Sequence, residues 1–282
     1  MGVFSMSGWE RMFDDPFENP YKALWEIASG VACFGPTDEW TDWYHHLLAW
    51  LIPPSYDTHA EPLLEILISG FFTQHPDGPT NAPYSGFFDD ALDTFGRSLM
   101  DRACWPDGEI DVAACLSPPN WGQPWCLSYA SGKLSASMFF CLKYLALDDI
   151  APWLMSVLSI PNIHWRAALI AWFVGAHGLL DGRIRQASEL QETATPAIGW
   201  DFSYLLKGNY TGDYTGKMPI SDFLPGENRQ AAIGAVRSAM TETVFIEWLA
   251  SIARDEKLAF ELDDLPFRFW ELYGQAVHAP EA

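Results

Sequence analysis

Asn162-Ile163-His164-Trp165-Arg166-Ala167-Ala168-Leu169-Ile170-Ala171-Trp172-Phe173-Val174-Gly175-Ala176-His177-Gly178-Leu179-Leu180-Asp181-Gly182 is the stretch on which the fold turns. Asn162 follows Pro161 and is placed to cap a helix, and Gly182 stands where that helix would end. Residues 167–180 form the most apolar run in the chain, with His177 inside it and Arg166 at its edge. The run is shorter than the ~20 residues a bilayer span needs, so it predicts a helix buried among other helices.

The pattern on either side is also helical. Upstream, Asn19-Pro20 precedes Leu24, Ile27, Ala28 and Val31 at helical spacing. Thr37 can cap a helix with the stripe Trp40, Trp43, Tyr44, Leu47, Leu48 and Leu51, and Asp38 and Glu39 suit its first turn. A helix opening at Thr58 or Pro62 carries Leu63, Leu64, Ile66, Leu67 and Phe71. Ser85 leads a ladder of Phe88, Leu92, Phe95 and Leu99. Leu127, Leu134, Met138, Cys141, Leu142 and Leu145 form another stripe, and Asp149 with Pro152 starts a short helix through Leu158. Downstream come 231–240, then Phe245, Trp248, Leu249 and Ile252, then a last helix opened by Asp264 and Pro266. Period-two alternation is confined to short pieces within 198–224. The expectation is an all-α protein of about ten helices in stacked antiparallel pairs, either a HEAT-like α-solenoid or a compact helical bundle. Residues 1–282 read as a single domain, with one candidate sub-boundary in the Pro- and Gly-rich 105–125 loop.

The stretch Trp165-Arg166-Ala167-Ala168-Leu169-Ile170-Ala171-Trp172-Phe173, rich in small residues, resembles an inner helix of the HEAT-like and armadillo-like helical-repeat class. The resemblance covers architecture, not motif, since no fixed repeat length is present. It implies a concave surface presented to another protein.

Composition narrows the function. There are 37 Asp and Glu against 16 Lys and Arg, a net charge of −21. The imbalance arises from scarce bases, because an acid share of about one residue in eight is ordinary. Nucleic-acid binding through phosphate contacts needs clustered cations and is disfavoured, and an anionic membrane surface would repel the chain. A basic partner would be steered towards it. The five cysteines, Cys33, Cys104, Cys115, Cys126 and Cys141, have no C-x-x-C spacing, and most sit in apolar stretches. With no signal-peptide pattern at the N-terminus, a reducing, cytoplasmic location is expected.

Several constellations invite chemistry. His177 and Asp181 are four apart, and Arg166 lies three turns earlier on nearly the same face. That polar line could serve proton transfer in a pocket, although a cation near a helix C-terminus is also a plain way to anchor the helix end. His45, His46, His59 and His75 are the candidate metal ligands. Adjacent histidines on a helix point about 100° apart, so His45 and His46 do not readily share an ion, and a solvated helix face is the simpler reading. Of the 14 tryptophans, Trp105, Trp121, Trp125 and Trp200 sit in loop-like sequence, where an indole either packs its own loop or stacks on a ligand. The tract 208–217 contains Tyr-Thr-Gly twice and presents Tyr210 and Tyr214, a composition like that of recognition loops. The chain carries no P-loop, nucleophile elbow or dinucleotide fingerprint, and no cofactor is expected.

The expected function is a non-enzymatic protein–protein interaction protein, whose acidic, aromatic-rich surface binds or neutralises a basic partner such as a toxin. The alternative is an α-helical hydrolase acting on a saccharide or other small substrate, through carboxylates or the His177–Asp181 pair.

Overall fold

The computed structural model describes residues 28, 30–31, 38–51, 61–78, 82–105, 108–109, 132–200, 203, 206 and 221–274. In chain order the helices are α1 (Asp38–Leu51), α2 (Glu61–Gln74) and α3, which runs from Phe87–Ala91 through a π-helical segment, Leu92–Arg97, into Ser98–Met100. Then follow α4 (Gly132–Tyr144), α5 (Leu147–Leu158), α6 (Ile163–Leu180) and the short α7 (Leu190–Thr193). The last group is α8 (Gly226–Ala239), α9 (Glu242–Ile252), α10 (Glu256–Leu262) and α11 (Leu265–Tyr273). No strand occurs among the described residues, so the fold is all-α.

The apolar run of α6 is the axis of the C-terminal half. Asn162 Oδ1 accepts from the backbone N–H of His164 at 2.9 Å and of Trp165 at 3.1 Å, so it starts the helix as its side chain suggests. From Trp165 to Leu180, only Arg166 and Gly178 escape full burial. A helix apolar all round must be enclosed, and α7, α8, α9, α10 and α11 all pack against this one. Trp165 is wholly buried, and its Nε1 donates to Val157 O at 2.9 Å, which satisfies the indole. Among the described residues no helix is long and apolar enough to cross a membrane.

The N-terminal half is held by an aromatic cluster. Phe71 of α2 meets Phe87 and Phe95 of α3 and Phe140 and Tyr144 of α4, with ring centroids 4.9–6.4 Å apart. Each fully buried ring contributes about 1.5–3 kcal/mol of hydrophobic stabilisation. The π-helical segment of α3 presses on α4 at Gly96, where a Cβ would lie 2.5 Å from Cys141 Sγ. Trp200 and Phe223 extend the cluster towards the second half, because Phe139 stacks on Trp200 with centroids 5.4 Å apart.

Several element boundaries differ from the sequence reading. Helix α5 begins at Leu147, so Pro152 lies inside it and Asp149 sits in its first turn instead of capping it. Pro152 is exposed, so its ring is turned away from the core. The 3.6-residue ladder of α3 runs through a π turn that periodicity does not signal. Helix α10 is additional; Asp255 caps it by accepting from Lys257 N and Leu258 N at 3.1 Å. Asp264 makes no side-chain cap, although Pro266 does occupy the first turn of α11. The most extensive helix pair is α5 with α8, far apart in sequence, and not two neighbours along the chain. The segment 110–131, which holds most of the candidate sub-boundary loop and the Leu127 position, and most of the helix expected after Asn19-Pro20 lie outside the described residues.

Candidate functional site

Helices α9, α10 and α11 each bury one stripe and leave the opposite one open. In α10, Leu258 and Leu262 face inward, and the helical period turns Phe260 away from them. Phe260 is 84% exposed. In α11, Leu265, Phe269 and Tyr273 are buried, and Phe267, on the other side, is 66% exposed. In α9, Phe245, Trp248 and Ile252 are buried while Ile246 is 56% exposed. The same stretch of chain carries Glu242, Glu247, Glu256, Asp263 and Asp264, all exposed. From 242 to 273 the chain carries eight carboxylates against three cations. The exposed sides of these helices therefore carry apolar anchors and an excess of negative charge, the two features an interface with a basic partner uses.

A second feature lies at the C-terminal end of α6. A cavity of about 360 Å³ is walled by α6, the segment that follows it and α11, with His177, Arg183, Thr193, Thr195 and Arg268 in its lining. Two glycines of α6 let its neighbours come close. A Cβ on Gly178 would lie 2.6 Å from Ile184 Cδ1, and one on Gly175 would lie 2.5 Å from Ile198 Cγ2. His177 is held on both edges. Its Nδ1 is 2.9 Å from the Tyr273 hydroxyl, which also lies 3.1 Å from Phe173 O, and its Nε2 is 3.4 Å from Asp181 Oδ2. Arg183 Nε donates to that same carboxylate oxygen at 2.6 Å. Burial lowers the His177 pKa below the ordinary imidazole value; Asp181 opposes that shift, and Arg183 and Arg237 add to it. Burial also pushes the Tyr273 phenol well up, so Tyr273 stays protonated.

The expected Arg166–His177–Asp181 line is thus only half assembled. His177 and Asp181 pair, but Arg166 turns to α9, donating to Ser251 Oγ at 2.9 Å with its guanidinium 5.6 Å from the Trp248 ring. Eleven residues of helix separate it from His177 by about 16 Å along the axis.

The histidines divide similarly. His45 and His75 come together across α1 and the end of α2, their rings stacked with Nε2 atoms 3.2 Å apart. A hydrogen bond between them needs one ring to donate and the other to accept. Burial lowers the His45 pKa, against an opposing pull from Asp42. His46 is exposed and stands edge-on to Trp43. His59 lies outside the described residues. Among the described residues no group of three or more His, Cys, Asp or Glu side chains is arranged to hold a metal ion.

Of the loop tryptophans, Trp200 departs from a binding role. It is 2% exposed, and its Nε1 donates to Ser69 Oγ at 3.1 Å, so it is a core side chain reached from a loop. Trp105 is half-buried against the same core. Trp121, Trp125, Tyr210 and Tyr214 lie outside the described residues. The sequence reading marks Phe267 as an apolar position of the last helix without distinguishing it from the buried ones, and it does not single out Phe260 or Ile246, although their positions opposite the buried stripes of short helices carry a readable signal. It also passes over Arg183 and Arg268, which only the fold brings to one cavity. No family model, curated protein or solved structure matches this chain.

Proposed function

We propose that this protein is a non-enzymatic binding protein that docks a basic partner protein onto the outer face of α9, α10 and α11, as in toxin neutralisation or assembly control. The observation that carries the reading is the exposure of Phe260, Phe267 and Ile246 in a stretch that also exposes Glu242, Glu247, Glu256, Asp263 and Asp264. Covering such side chains contributes about 1.5–3 kcal/mol each, the scale of an interface anchor. The carboxylates of the same stretch steer a cationic partner and exclude an anionic one. A cytoplasmic setting suits the free thiols of Cys104 and Cys141.

The test is affinity capture from cell extract by the native chain and by a Phe260→Ser/Phe267→Ser double variant, eluted with rising salt. Proteins retained by the native chain alone should be basic and should elute early, as screened contacts do. Retention of the same proteins by both chains, or no preference for basic proteins, contradicts the proposal. One observation favours the second reading, an α-helical hydrolase for a saccharide or other small substrate: the His177–Asp181 pair stands beside a cavity. Loss of a measured hydrolytic activity in His177→Gln would support it; a fully active variant would remove it.

A further inference from the structure

The cavity beside α6 gathers cationic donors in a chain that has few. The whole sequence holds 16 Lys and Arg, and two of them, Arg183 and Arg268, line this one cavity. A guanidinium carries five N–H donors in a planar fork. Arg183 engages Nε with Asp181 Oδ2, and Arg268 engages Nη2 with Thr195 O at 2.6 Å. The remaining donors of both forks have no protein acceptor among the described residues. These bonds favour one placement of each guanidinium group, so a small part of the ordering cost of binding is met before a ligand arrives.

The rest of the lining bears on the ligand. At the C-terminal end of α6, His177 O and Gly178 O accept from Asp181 N and Ile184 N, each at 2.8 Å, and the two guanidinium groups must outweigh the negative end of the helix dipole. Two carboxylates bear on an anion there: Glu271 in the lining, exposed so that water screens its charge, and Asp181, half-buried and already paired with Arg183 Nε. Ile184 and Leu272 give the cavity apolar walls. The volume of about 360 Å³ suits a small molecule and not a polymer segment.

We propose that this cavity is a binding site for a small organic carboxylate, its two oxygens held by Arg183 and Arg268 and its apolar body set against Ile184 and Leu272. The site shares α11 with the face proposed to dock the partner, but its test reads small-molecule binding and does not depend on that reading.

The experiment is isothermal titration of the full chain with hexanoate, benzoate, hexanamide and inorganic phosphate. Saturable one-to-one binding of at least one of the two carboxylates is expected, with hexanamide weaker than hexanoate by at least about tenfold, since it lacks the charge that the arginines read. The Arg183 side chain is 70% exposed, so Arg183→Leu should keep the native melting temperature and still lose at least about tenfold in carboxylate affinity. Arg268→Leu should lose a similar factor and also some stability, because its bond to Thr195 O goes with it. The proposal is overturned if neither carboxylate saturates, if hexanamide binds as well as hexanoate, if phosphate alone binds, or if folded Arg183→Leu binds unchanged.

Discussion

Replacing Lys143 with methionine should stabilise this protein at neutral pH and stop doing so in alkali. Lys143, near the end of α4, is half-buried. Its Nζ donates to Phe223 O at 2.7 Å and lies 5.0 Å from the Phe223 ring centroid. Burial lowers its pKa from 10.5 to about 8, against a weaker opposing pull from Asp77. At pH 7 the amine is therefore still charged in the fold. A drop from 10.5 to about 8 corresponds to a cost of roughly 3 kcal/mol for keeping that charge inside. Methionine removes this cost but leaves Phe223 O without its donor, which takes back about 1–2 kcal/mol. The net expectation for Lys143→Met is a gain of roughly 1–2 kcal/mol at about pH 7. The sign of the pH dependence follows from proton counts. Between about pH 8 and 10.5 the unfolded chain holds the lysine proton and the native chain has released it, so native stability rises with pH across that window. By about pH 9.5 the native chain recovers roughly 2 kcal/mol, and the advantage of the variant falls to about zero. Urea unfolding of both chains at the two pH values measures the difference. Equal advantage at both values, or a variant less stable than the native chain at pH 7, would refute the reasoning.

Gly175→Ala should destabilise by about 1–3 kcal/mol in urea unfolding, because its Cβ would press into Pro196 and Ile198. Gly234→Ala, exposed in α8 with open space around it, should instead stabilise by about 0.5–1 kcal/mol. Tyr273→Phe removes the hydroxyl beside His177 Nδ1 and Phe173 O and should cost about 1–3 kcal/mol by the same assay. Burial holds His45 and His177 below the ordinary imidazole pKa of 6.5, so the unfolded chain takes up protons first as pH falls. Stability should therefore decline from about pH 6.5 downwards, and a His45→Asn/His177→Gln double variant should decline less over that range in thermal unfolding.

The parts of the fold written in local pattern were readable from the sequence. The Asn162 cap, the enclosed α6 and the stripe of α1 follow from side-chain type and a 3.6-residue period, and both are local properties. Three-dimensional closeness was not readable. The π turn in α3 keeps the same apolar order as an α-helix, and what accompanies it is the approach of Gly96 to Cys141 from a distant segment. Trp200 looked like a loop indole because loop sequence surrounds it, yet its partners Ser69 and Phe139 lie far away in the chain. The His177–Asp181 pair was legible because four residues make one helical turn, whereas the placing of Arg183 and Arg268 in one cavity lining depends on how α11 returns to α6. Phe260 and Phe267 stand between these cases. Their outward positions follow from the period of α10 and α11, once those short helices are placed.

The central claim is that exposed aromatics and the carboxylates of the same stretch form a docking face for a basic partner. Its most direct test is calorimetric titration with an amphipathic helical peptide of lysine and leucine and with its glutamate–leucine counterpart, against the native chain and the Phe260→Ser/Phe267→Ser double variant. The account predicts one-to-one binding of the lysine peptide only, weakened as salt rises from about 0.05 to 0.5 M and reduced at least about tenfold in the double variant. Equal binding of the two peptides, no binding of the lysine peptide, or undiminished binding by the double variant would contradict it.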